Sequence, residues 1–458
     1  MNQVDFENGS ITSNILQTAL PMMAAQILNL LYSIVDRIYI GRIPGEGTLA
    51  LGSVGLCFPV IIMITAFTNL YGSGGAALCA MERGRGNTQK AAVIMNTAAF
   101  MLFATALILM AAGEIFAPQI LTVFGASPDN MSAALEYMRI YLLGTLFTMA
   151  AGGLNPYINA QGFPLAGMMT VLIGAVANII IDPILIFFLS MGVRGAAVAT
   201  VFSQMLSAAF AVSFLRGPRA ELKIKIMSPD EFIRNLKTAG EIISLGTASF
   251  VMQFTNSLVQ ICCNSTLAFF GGSVYVSVMT LISSIRQIID TPIMSLSEGA
   301  SPVLSYNYGA GRGERVISTI RILTALGIFY TFFMWLLLRL FPNVFIGIFS
   351  NDREILKDAA GAMNIYFAAF VFQSLQYCAQ TVFKALGKKK RAIFFSLLRK
   401  VVLVVPLTFL FPYVFHMGTN GVFLAEPVSN VIGGSASFIT MLLTLMPELK
   451  NMESPKSG

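Results

Sequence analysis

Long apolar runs, broken at intervals by glycine, proline and clustered charge, fill most of the chain. Read against those breaks, the pattern predicts twelve membrane-spanning helices. They fall at about 14–40, 48–80, 92–113, 133–158, 165–190, 195–215, 240–270, 274–304, 316–341, 361–383, 393–415 and 420–446. An α-helix needs about 20 apolar residues to cross hydrocarbon, and these runs supply them. The short alternating segments of a transmembrane β-barrel are absent. The expected fold class is an all-α integral membrane protein.

Composition narrows the picture. Of 458 residues, 56% are hydrophobic and 11% are charged, against about 25% charged in an ordinary soluble protein. A soluble globule, a disordered chain and a disulfide-stapled secreted module are excluded on these figures. The start of the chain, MNQVDFENGSITSNILQ, has no basic region, so the first span is expected to act as its own insertion signal.

The net charge of +7 is a matter of topology rather than of an anionic partner. Of the 29 Lys and Arg residues, 21 fall in one alternating set of loops and helix ends. That set includes Arg83, Arg85, Lys90, the 216–240 connection, the run Lys388-Lys389-Lys390-Arg391, and Arg399 with Lys400. Seven fall in the opposite set, and Arg286 alone lies inside a span. The positive-inside rule then puts both termini in the cytoplasm. The expected location is the plasma membrane of a prokaryotic cell (the inner membrane, where there are two). The basic runs touch anionic lipid at most, and no nucleic-acid partner is expected.

One half of the sequence repeats in the other. Gly74, Gly84, Gly86 and Gly162 match Gly299, Gly309, Gly311 and Gly387 at a shift of 225. Gly192, Gly195 and Ala199 match Gly418, Gly421 and Ala425 at 226, and Pro183 matches Pro406 at 223. Six predicted spans separate each pair, so both halves run the same way through the membrane. This is a parallel repeat, an arrangement common among transporters. The expected domains are a six-helix lobe at 1–215, a linker at 216–239, and a second six-helix lobe with a short tail at 240–458.

Ionisable residues inside spans are costly, and each needs a reason. The candidates are Asp36, Asp182, Arg286, Asp290, Glu298 and Glu426. Asn178 and Asp182 are four apart and share a helical face. With Asp36 near the outer end of the first span and Thr200 early in the sixth, they make an oxygen-rich set suited to a proton or a hard cation. Pro183 follows Asp182 and frees a carbonyl one turn back, a natural bend. A blander reading pairs Asp36 with Arg37 or Arg42 and leaves Asp182 to cap backbone groups. In the second lobe, Arg286 and Asp290 are four apart and read as a structural ion pair. Glu298 reads as a gate or packing contact, and Glu426, the repeat partner of Thr200, as a secondary candidate.

Other features take structural readings. Gly309-Ala310-Gly311-Arg312-Gly313 follows a membrane span rather than a strand, so it reads as a tight turn and not a phosphate loop. His416 is the single histidine and has no sequence partners for catalysis or metal binding. The five cysteines lie in apolar stretches without metal-ligand spacing and read as small buried hydrophobes. No nucleophile motif appears, so neither an enzyme nor a resident cofactor is expected. Some of the many Met and Phe side chains would suit a deformable pocket for varied apolar ligands.

Several segments resemble the multidrug and toxic compound extrusion (MATE) family. They are Pro21 with Tyr32-Ser33-Ile34-Val35-Asp36 and Ile40-Gly41, Gly72-Ser73-Gly74-Gly75, and Arg83-Gly84-Arg85-Gly86-Asn87. Asn178-Ile179-Ile180-Ile181-Asp182-Pro183 and Ser301-Pro302-Val303-Leu304-Ser305-Tyr306-Asn307-Tyr308-Gly309-Ala310 complete the set. The resemblance spans all twelve predicted helices and is nearest to the prokaryotic MepA/DinF-like branch.

It implies two six-helix lobes about a V-shaped cleft. It also implies antiport, with entering H+ or Na+ driving export of amphipathic, often cationic, organic compounds, by a protein that can work as a monomer. In that branch the cation site matches Asp36, Asn178, Asp182 and Thr200. The NorM-like branch places acids in the seventh and tenth spans, where this chain has Gln253, Asn256, Gln373 and Gln376. The resemblance therefore implies no second Na+ site. Two alternatives stay open: a flippase for a lipid-linked saccharide and an exporter of one narrow class of metabolite.

Overall fold

The computed structural model describes residues 3–44, 47–124, 126–348 and 353–452. The last residues of the expected tail, 453–458, lie outside the described part. No strand occurs among the described residues. A backbone in hydrocarbon must satisfy its own hydrogen bonds, and the helix does this within one segment.

The first half holds α1 (Ile11–Gly41), α2 (Gly47–Gly84), α3 (Thr88–Val123), α4 (Pro128–Leu143), α5 (Thr145–Ala160), α6 (Pro164–Pro183) and α7 (Gly192–Arg216). A short α8 (Pro229–Arg234) then leads into α9 (Leu236–Gly309), two helices joined at Gly272, which has φ 65°. The second half continues with α10 (Gly313–Leu340), α11 (Pro342–Gly347), α12 (Arg353–Tyr366) and α13 (Phe370–Ala385). It ends with α14 (Lys389–Leu397), α15 (Val405–Tyr413), α16 (Gly418–Ser429) and α17 (Ser435–Asn451).

Nine helical stretches among the described residues are long and apolar enough to cross a membrane. The three other predicted spans are helical too. The one at 133–158 is divided into α4 and α5 at Gly144, the one at 274–304 lies in the second part of α9, and the one at 361–383 lies in α12 and α13.

The helices pack into two units. The first comprises residues 1–5 and 21–246, the second residues 6–20 and 247–458. Their bounds at Pro21 and Gly246 are one repeat shift apart. In the first unit α2 packs against α3, α4 and α5, and α7 packs against α4, α5 and α6. The second unit has two apolar cores. One gathers Ile15, Leu304, Phe383 and Leu445, and the other Leu267, Ile282, Phe370 and Phe423.

The stretch after α7, where the sequence analysis placed a linker, is held on the first unit. Arg83 pairs with Glu221, the Leu222 N–H donates to Gln161 Oε1 at 2.8 Å, and the Lys225 N–H donates to Asn96 Oδ1 at 2.8 Å.

The repeat is written into the backbone. Gly86, Gly162 and Gly192 have φ of 77°, 86° and 56°, and Gly311, Gly387 and Gly418 have 74°, 72° and 55°. Each pair ends or opens a helix in the left-handed region, where glycine avoids the Cβ penalty. Ser190 at 52° is mirrored by His416 at 53°, so the lone histidine stands at a turn position. Close helix crossings repeat as well. A Cβ on Gly74 would fall 2.5 Å from Gly246 Cα, and one on Gly299 would fall 2.6 Å from Ala19 Cα.

A candidate ion site in the first unit and a charge cluster in the second

Three of the four residues chosen for ion binding meet in the first unit. Asn178 and Asp182 sit one turn apart on α6, 2% and 0% exposed, and the Asn178 Nδ2–H donates to Asp182 Oδ1 at 3.3 Å. The carboxyl of Asp36, on α1, meets that of Asp182 directly. No ion pair joins Asp36 to Arg37 or Arg42 among the described residues; the Arg37 guanidinium lies 4.9 Å from the Phe58 ring centroid instead. Directly after Pro183 the helix widens into a π-helical turn, Ile184–Phe188, a form that recurs at functional sites. Thr200, on α7, is half-buried and makes no hydrogen bond to the trio among the described residues.

The donor chemistry favours a positive charge. Asp36 Oδ1, Asn178 Oδ1 and Asp182 Oδ2 are all buried without a hydrogen-bond partner among the described residues. Buried acceptors are ordinarily paired, and three orphaned oxygens from one carboxamide and two carboxyls match the ligands of a hard cation or a shared proton. The wall around them was missed in the sequence. Tyr32 lies one turn before Asp36, and Tyr137 on α4 stands within charge range of it. The Tyr137 and Tyr141 rings stack with centroids 6.1 Å apart.

The second unit departs from the expected simple ion pair. Arg286 Nε does meet Asp290 Oδ2 at 3.1 Å, but Arg286 Nη2 also meets Glu426 Oε1 at 2.7 Å. The same Glu426 oxygen takes Arg399 Nη1 at 3.0 Å and Lys400 Nζ at 3.5 Å. Glu426 is therefore a hub of ion pairs. Arg399 and Lys400, 8% and 7% exposed, lie in the π-helical segment Leu398–Val404 between α14 and α15. Their placement with the loops is thus corrected, and Arg286 is not the only basic residue within a span. Gln373 Nε2 donates to both Asp290 oxygens, at 3.0 and 2.9 Å, and the Tyr377 hydroxyl donates to Oδ2 at 3.3 Å. Glu298 stands within charge range of Lys384.

Fold and site together define a multi-pass membrane protein with an internal repeat and an acidic, oxygen-lined site in its first half. The chain belongs to the MatE family, whose model matches residues 21–184 and 248–410, once in each half. It is similar to the multidrug export protein MepA of Staphylococcus aureus (strain NCTC 8325), 23% identical over 440 residues, or 96% of this chain and 95% of that protein. MepA of Staphylococcus haemolyticus is 23% identical over 441 residues, covering 96% and 94%.

Among solved structures, an outward-facing MATE multidrug resistance transporter of the MOP superfamily superposes with a TM-score of 0.90 at 21% identity, covering 98% of this chain and 99% of that one. A MOP superfamily transporter from Pyrococcus furiosus, described as having a binding pocket of reverse polarity, superposes with a TM-score of 0.89 at 20% identity, covering 99% and 100%. These likenesses establish a shared transporter fold.

Proposed function

We propose that the chain is a secondary active exporter in a prokaryotic plasma membrane, with both termini cytoplasmic. It carries amphipathic, often cationic, organic compounds outward in exchange for entering H+ or Na+, by alternating access. The observation that carries this reading is the trio of orphaned oxygens on Asp36, Asn178 and Asp182. Two carboxyls in contact and shielded from water repel each other when both are ionised, and one proton or one Na+ between them removes the repulsion. The site therefore binds a single positive charge and changes its own charge in doing so. Coupling follows if the inward- and outward-facing states hold that charge with different affinity. No catalytic group or resident cofactor enters this scheme, and one copy of the chain suffices for it.

The test is export of ethidium from cells carrying the protein, under imposed pH or Na+ gradients. Export that follows one gradient names the ion, and export indifferent to both would refute antiport.

The buried basic cluster lends a second reading some support, that of a flippase gripping the pyrophosphate of a lipid-linked saccharide. Its charges weigh against this. Arg286, Arg399 and Lys400 face Asp290 and Glu426, a surplus of at most one positive charge, too little for a pyrophosphate. An exporter of one narrow class of metabolite would show gradient-driven export of its own cargo and none of ethidium.

A further inference from the structure

In the charge cluster of the second unit, basic side chains outnumber acidic ones. Two carboxylates, Asp290 and Glu426, face three cations, Arg286, Arg399 and Lys400, all drawn together by the ion pairs described. Arg286 is fully engaged, with Nε on Asp290, Nη1 on the Tyr366 hydroxyl and Nη2 on Glu426. Asp290 is saturated by Arg286, Gln373 and Tyr377. The shortfall falls on the other two cations.

Arg399 uses only Nη1, shared between Glu426 and Asn430, so its Nε–H and Nη2–H groups have no partner among the described residues. Lys400 makes one long contact to Glu426, at 3.5 Å, and its other N–H groups have none. Three buried basic groups sharing one carboxylate oxygen leave that carboxylate thinly divided, which is costly, and guanidinium stays charged in proteins. Unspent donors on a guanidinium, with a second basic side chain beside it, are what an anion requires.

We propose that Arg399 and Lys400 form a binding site for one monovalent anion. Two sources share that chemistry: a free inorganic anion such as chloride, or the carboxylate of an organic cargo. The second source rests on the export reading, but the site itself does not.

The experiment is thermal unfolding of the full-length purified protein in detergent, at constant ionic strength held with sodium isethionate, a bulky sulfonate without a carboxylate. Sodium chloride or sodium benzoate replaces the isethionate stepwise. The expected result is a saturable rise in melting temperature of several degrees, as for any ligand that binds only the folded state.

A rise with chloride identifies an inorganic anion, and a rise with benzoate alone identifies an organic carboxylate. Lys400→Met is expected to lose the rise and to melt no lower than the wild type in isethionate, because it removes a buried amine held by one long contact. Lys400→Arg is expected to keep the rise. No saturable rise with either anion would overturn the proposal, as would an unchanged rise in Lys400→Met. Since neither readout involves ethidium or a gradient, failure here is distinguishable from failure of the export reading.

Discussion

At Asp182 the proposed function and the stability of the fold make opposite demands. The residue is fully buried, holds one hydrogen bond from Asn178 and faces the Asp36 carboxyl. Asp182→Asn removes one member of a like-charged pair and is expected to abolish gradient-driven export while melting no lower than the wild type, as measured by unfolding in detergent. A fall in melting temperature with export retained would make Asp182 a structural residue. Glu426 predicts the reverse. One of its two carboxylate oxygens meets three basic side chains, and Glu426→Gln would leave them facing Asp290 alone. Breaking a buried ion pair costs about 3–5 kcal/mol, so this variant is expected to unfold far more readily, a loss seen directly in its melting curve.

At this scale the sequence was informative where charge interrupts apolar runs. Asp36, Asn178 and Asp182 stand out because acids and amides are rare in such runs and because a spacing of four shares a helical face. Tyr137 and Tyr141 do not stand out, since a tyrosine in an apolar run looks like any core residue. Arg399 and Lys400 were misread because they follow the basic run 388–391 closely. The membrane-crossing stretch begins at Lys389, so Lys400 lies eleven residues, or about 16 Å at 1.5 Å per residue, along it. What keeps the two residues buried is Glu426, a partner on another helix that no local pattern announces.

Among the elements, two small-residue crossings are exacting contacts. Gly74 lies against Gly246 and Gly299 against Ala19, each too close for an added Cβ. Gly74→Val would need helix backbones to separate, and is expected to destabilise the fold by about 1–3 kcal/mol or more. Gly86, with φ 77°, has open space where a Cβ would stand. Gly86→Ala there costs only the left-handed conformation, about 1–2 kcal/mol. Size-exclusion profiles of the two variants after mild heating are expected to rank them in that order. Helix existence was legible because it follows from hydropathy. The break at Gly272 falls in the gap left between the spans at 240–270 and 274–304, whereas the break at Gly144 and the three π-helical segments were not legible, because they depend on local backbone geometry that an apolar run does not encode.

Over the whole molecule, the repeat read from scattered glycines reappears as matched dihedral angles and matched crossings, while the charges diverge. The first unit presents orphaned acceptors, and the second presents a surplus of donors. The halves thus share a scaffold and differ in chemistry, which fits a transporter in which one half handles the driving ion.

The most direct test of that division is purified protein in sealed liposomes, with ethidium movement followed under an imposed pH or Na+ gradient. Gradient-driven movement is expected in the wild type and none in Asp36→Asn or Asp182→Asn, both correctly inserted. Undiminished gradient-driven movement in both variants would contradict that division.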